Sequence, residues 1–160
     1  MPPLTAGQRA ALTVALSLAV FMNVLDLSIA NVAIPQIAGE LGTSADQGTW
    51  IITSFAVSAA IAMPLTGWLG RRFGEVRVFL VCTAMFTLAS LVCGLASNLA
   101  TLIAMRTIQG VFGGPMIPLS QSLLLNNYPA DRKNLALALL MMVTIVAPVE
   151  HCPIRLIGAF

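Results

Sequence analysis

Long apolar runs separated by short polar ones set the pattern of this chain. Leu12–Ala33 contains a single charge, Asp26; Trp50–Leu69 and Val78–Ala96 contain none; Leu99–Leu125 contains only Arg106. A fifth run opens near Leu135 and reaches Pro148. At a rise of about 1.5 Å per residue, each of the first four is long enough to cross roughly 30 Å of hydrocarbon as a helix. Strands would need alternating faces over about ten residues, which these runs lack. Lipid offers backbone amides no partner, so each run is predicted to satisfy its own hydrogen bonds as a helix. Pro64 falls inside the second run and Pro115 and Pro118 inside the fourth, where a missing N–H bends or loosens a helix.

Composition reinforces this picture. Of 160 residues, 9% are charged and 58% hydrophobic, whereas a soluble domain carries about a quarter of its residues as Asp, Glu, Lys and Arg. Such a chain cannot cover a globule with polar side chains, and the bilayer is its natural solvent. A net charge of +2, scattered along the chain, does not suggest a nucleic-acid partner. Cys82 and Cys93 share one apolar run and Cys152 stands alone, which makes neither a disulfide framework nor a metal-ligand spacing. No nucleophile with its base, carboxylate pair or phosphate-binding glycine loop suggests an enzyme. MPPLTAGQRA leads into the first run without a small-residue cleavage site, so a retained first span is expected.

The polar segments predict an orientation. Arg9 precedes the first span, Glu40 and Asp46 occupy the first loop, and "GRRFGEVR" puts Arg71, Arg72 and Arg77 in the second. The third loop, around Ser97 and Asn98, is nearly chargeless, and the fourth holds Arg132 and Lys133. Basic residues on alternate sides place the N-terminus and the second and fourth loops in the cytoplasm. Trp50 and Trp68, near the two ends of the second run, suit the membrane interfaces.

Two intramembrane charges stand out. Asp26 lies seven residues before the outer end of its run and Arg106 seven after the outer start of its own. Both fall roughly 10 Å below the outer surface at the helical rise. Either would cost about 2.5–3.5 kcal/mol facing lipid alone. Both are therefore expected to face the bundle interior, close enough to interact directly or through water. Gln109, Gly110 and Gly113 extend a stripe from Arg106, Asn23 shares a face with Asp26, and Ser54 and Ser58 lie one turn apart. Asn23, Ser54, Ser58, Gln109, Gly110 and Gly113 are candidates for lining a cavity or substrate path. Small and hydroxylated residues also serve simply to let membrane helices approach, and for Gly110, Gly113, Gly114, Ser54 and Ser58 packing is the favoured role. In the turn, the glycines Gly67, Gly70 and Gly74 predict a short, packed connection.

At these residues the sequence resembles the fourteen-span drug:proton antiporter branch of the major facilitator superfamily. The matching stretches are "LDLSIANVAIPQIAGELG", "QGTWIITSFAVSAAIAMPLTGWL", "RTIQG" and "GPMIPLSQSLLLNNYP", within residues 12–148. The resemblance implies export of hydrophobic, drug-like compounds across a bacterial inner membrane, driven by the proton gradient with no cofactor. For an intact protein it also implies a periplasmic adaptor and an outer-membrane channel. It makes Asp26 a candidate proton carrier and links Arg106 to proton coupling. A neighbouring cation favours the carboxylate and loss of water favours the acid, so changing water access would switch Asp26 between forms. The family's loop pattern Gly-x-Leu-x-Asp-Arg-x-Gly is met by Gly67, Leu69, Arg72 and Gly74, but Arg71 stands at the aspartate position. Interactions of that aspartate therefore do not carry over, although a basic residue there is compatible with this branch.

The expected fold is an all-α polytopic transmembrane bundle, a partial N-terminal half of a major facilitator fold with four complete spans and an incomplete or aberrant fifth. Residues 1–11 form a cytoplasmic N-terminus, 12–148 the bundle and 149–160 an aberrant tail. In that tail Glu150, His151 and Arg155 put charge where the family's fifth span stays apolar, as a reading-frame slip or truncation would. Two alternatives to drug export stay open: a related facilitator for a specific metabolite, and a non-transporting membrane remnant or assembly partner.

Overall fold

The computed structural model describes residues 6–40, 45–96, 98–129 and 133–149. Among them the regular elements are helices: α1 (Ala6–Glu40), α2 (Ala45–Ala62), α3 (Thr66–Phe73), α4 (Glu75–Gly94), α5 (Leu99–Gly113), α6 (Met116–Asn127) and α7 (Lys133–Val149). The all-α expectation holds. Of the expected tail, 149–160, residues 150–160 lie outside the described residues, as does Arg132 of the fourth loop.

The helices outrun the apolar runs that predicted them. α1 continues past Ala33 to Glu40, and Asp46 lies within α2, so neither acid sits in a loop as expected. The reason is physical: hydropathy marks the part of a helix that suits lipid, while the hydrogen-bond ladder continues beyond it. Gly7–Val32 and Glu75–Gly94 are each long and apolar enough to cross a membrane.

The second run is not one rod. Gln47–Ala62 and Thr66–Phe73 are bent by 56° at Met63–Leu65, and they reach spanning length only together. Pro64 has no N–H for the Ala60 carbonyl. The chain tightens there, with Leu65 N–H donating to Ala62 (3.2 Å) and Thr66 N–H to Met63 (3.1 Å), before Leu69 N–H to Leu65 (2.9 Å) restores the helical step. The fourth run divides similarly into α5 and α6 at Gly114–Pro115. Pro118 sits in the first turn of α6, where a missing donor is tolerated.

The molecule divides into two compact units. One is Ile29–Leu119; the other joins Met1–Ser28 to Ser120–Phe160. In the first, α5 packs against both α2 and α4, and α3 packs against α4. Its buried stripes are Ile51, Phe55, Ala59 and Ala62 on α2, and Val78, Phe79, Cys82, Phe86 and Ala89 on α4. Leu80, Val81, Leu88 and Leu91 of α4 stay exposed, giving the all-round apolar surface expected of a helix in lipid. In the other unit, Leu16, Ala19, Val20 and Asn23 form the buried stripe of α1. Thr13 Oγ1 and Tyr128 Oη share a 2.7 Å hydrogen bond between α1 and the residue after α6.

Two caps finish the helices of the first unit. Asn98 Oδ1 accepts from Thr101 N–H at 2.8 Å and starts α5. Gly74 adopts φ 88°, a left-handed geometry that suits glycine, and its N–H donates to Gly70 at 3.0 Å as α3 gives way to α4.

Candidate functional site

α5 carries the polar stripe that the spacing of its residues implied. Leu102, Arg106, Gln109, Gly110 and Gly113 are its buried positions, with Arg106 8% and Gln109 0% exposed. The guanidinium is thus withdrawn from the lipid-facing surface, and Arg106 is engaged in polar interaction within the protein. Asp26, half-buried on α1 in the other unit, is likewise engaged. Asn23, one turn before it, is 2% exposed.

The structure brings Ser58 and Gly110 together. A methyl group at Gly110 would run into Ser58 Oγ and the Phe55 carbonyl oxygen, and one at Gly114 would lie 2.6 Å from the Ala59 carbonyl oxygen. α2 and α5 therefore meet backbone to backbone over one helical turn, and rising residue numbers on both sides make them parallel. Ser58 Oγ–H is placed to donate to the carbonyls of Ser54 (2.8 Å) and Phe55 (2.9 Å), and Ser54 Oγ–H donates to Ile51 (3.2 Å). Both hydroxyls thus serve their own helix. Gly113 is buried on the same helix.

Gln109 points elsewhere. Its Oε1 accepts from Cys93 Sγ of α4 at 3.9 Å, and its buried Nε2 meets no hydrogen-bond partner among the described residues. Nothing in the sequence paired Cys93 with Gln109; the only signal was that both belong to apolar runs joined by a short turn.

The turn motif lies at the opposite end. Gly67, Arg71, Arg72, Gly74 and Arg77 are exposed, and Leu69 is half-buried. Gly70 packs toward Glu75 and Leu119: a methyl group on it would lie 3.3 Å from Glu75 Cγ and 3.8 Å from Leu119 Cδ2. The expected short, packed connection is present, closed by a single residue between α3 and α4.

A family description, Major Facilitator Superfamily, matches residues 16–149. The chain belongs to the major facilitator superfamily. It is a multi-pass membrane protein of that family, as its apolar helices require. It is 60% identical over 148 residues to the multidrug export protein EmrB of Haemophilus influenzae, covering 92% of this chain and 29% of that protein. It is 54% identical over 148 residues to the fatty acid resistance protein FarB of Neisseria gonorrhoeae, with the same coverages. Its fold resembles the crystal structure of a bacterial homologue of the human lysosomal transporter Spinster, in an inward-facing and unoccupied conformation. That likeness has a TM-score of 0.82 at 22% identity, over 92% of this chain and 31% of the other. The chain spans about 29% of the length of these curated relatives.

Proposed function

We propose that this chain forms the N-terminal part of a bacterial inner-membrane carrier that exports hydrophobic, drug-like compounds in exchange for protons. Its similarity to EmrB, named a multidrug export protein, supports the direction and the breadth of substrate. FarB, named for fatty acid resistance, agrees with a hydrophobic cargo. The observation that carries the mechanism is Arg106, 8% exposed and the one charged residue of α5, in a chain of a membrane-carrier family. Burying a permanent cation costs several kcal/mol, and function is the usual reason to retain it.

In this reading Asp26 binds the coupling proton and Arg106 keeps the carboxyl responsive to water access. Asn23, Ser54, Ser58, Gln109, Gly110 and Gly113 supply the small and polar surface of the interior. The N-terminus and the turn bearing Arg71, Arg72 and Arg77 face the cytoplasm. A carrier of this kind places its site between two halves. Residues 1–160 supply part of one half, and efflux requires the remaining spans together with a periplasmic adaptor and outer-membrane channel. Asp26→Asn in the complete transporter, reconstituted in proteoliposomes, should abolish efflux driven by a pH gradient. Unchanged efflux would remove Asp26 from the coupling step.

A further inference from the structure

The broken second run carries a surface to which the proposed proton coupling assigns no role. α3 turns 56° from the direction of α2, more than halfway toward the plane perpendicular to it. Its buried side is marked by Thr66 and by Gly70, which packs toward Leu119. Leu69 is half-buried, and the remaining side chains, two aromatic and two basic, are exposed. Trp68 (56% exposed) and Phe73 (57%) form an edge-to-face pair with ring centroids 6.3 Å apart. Arg71 and Arg72 follow Trp68 by three and four residues, one helical turn, which sets their bases about 5 Å further along α3. Arg77 joins them from the first turns of α4. Against these three exposed guanidiniums stands one half-buried acid, Glu75.

An indole–phenyl pair suits the boundary between acyl chains and water, and the exposed guanidiniums of Arg71 and Arg72, set between the two rings in sequence, reach headgroup level from the same short helix. Guanidinium forks match phosphate oxygens in pairs, and each basic side chain near an anionic surface strengthens binding. Zwitterionic headgroups offer no such net attraction.

We propose that α3 and the start of α4 bind the headgroups of anionic phospholipids in the leaflet they face, with Trp68 and Phe73 as the apolar anchor and Arg71, Arg72 and Arg77 as the phosphate ligands. This rests on the membrane placement of α2 and α4 and is independent of substrate or transport direction.

The test uses the full chain carrying Trp50→Phe, so that Trp68 is the remaining tryptophan. The protein is reconstituted in phosphatidylcholine vesicles containing phosphatidylglycerol, with bromine carried on the acyl chains of one lipid or the other. Brominated phosphatidylglycerol should quench Trp68 more than its mole fraction dictates, reporting a preference of at least about fivefold, the worth of one basic residue at an anionic surface. Raising the salt to about 1 M should erase that preference without any mutation, as should Arg71→Gln with Arg72→Gln. Quenching in proportion to mole fraction would overturn the headgroup site while leaving α3 at the membrane. A preference that survives both high salt and the double variant would also overturn it. No quenching by either lipid would place Trp68 outside the bilayer and overturn the site and its membrane placement together.

Discussion

α5 meets its two neighbours by opposite means. Toward α2 it offers Gly110 and Gly114, and backbone approaches backbone with no room for a methyl group. Toward α4 it offers Gln109, a full-length amide, 0% exposed and only weakly engaged through Cys93. In lipid, where hydrocarbon surrounds every helix, association gains little from hydrophobicity and depends on close packing and on polar partners. The first contact is close packing carried to its limit. The second retains a polar group that packing alone does not need, which is where a transport role would leave its mark.

The largest effect should come from filling the glycine contact. Gly114→Ala meets backbone at the Ala59 carbonyl oxygen and Cα, and cannot be relieved by rotating a side chain. It should destabilise by about 1–3 kcal/mol or more, seen as a lower unfolding midpoint in detergent. Gly110→Ala should behave similarly, and adding Ser58→Ala should recover only part of the loss because the Phe55 carbonyl remains in the way. Full recovery would mean that the helices are not held at backbone distance.

A smaller effect of opposite sign is expected on the other face. Gln109→Leu removes a buried donor that lacks a partner among the described residues, and should leave stability unchanged or raise it by up to about 1 kcal/mol. In the complete transporter the same change should reduce efflux. A clear loss of stability with normal efflux would make Gln109 a structural residue. The smallest effect belongs to Thr107, exposed on α5 with its hydroxyl donating to the Ile103 carbonyl at 2.9 Å. Thr107→Val should shift stability by no more than about 0.5 kcal/mol, which sets the baseline for the other two faces.

Much of this contrast was visible along the chain. The spacing of Arg106, Gln109, Gly110 and Gly113 marks one buried stripe, and those residues are buried. Pro64 and Pro115 mark breaks, and the chain leaves the helix at both. Periodicity names a face but not the neighbour it meets, so the stripe gave no hint that Gly110 faces α2 while Gln109 faces α4. For Ser54 and Ser58, one turn apart, the sequence favours packing but does not say what their hydroxyls bond. Only the geometry shows both hydroxyls directed at carbonyls of α2. Charge distribution located the basic turn, yet the angle that lays Trp68 and Phe73 beside its arginines is a property of the folded chain.

The sequence by itself determined that this chain is built of apolar helices suited to lipid, and where two of its long runs break. Those features follow from the transfer of side chains and unpaired amides into hydrocarbon, a cost each segment meets alone. Tertiary structure alone decided which helices touch, how closely, and which polar atoms spend their hydrogen bonds at home. Contacts between helices depend on the shapes of two surfaces at once, and no single segment encodes the other.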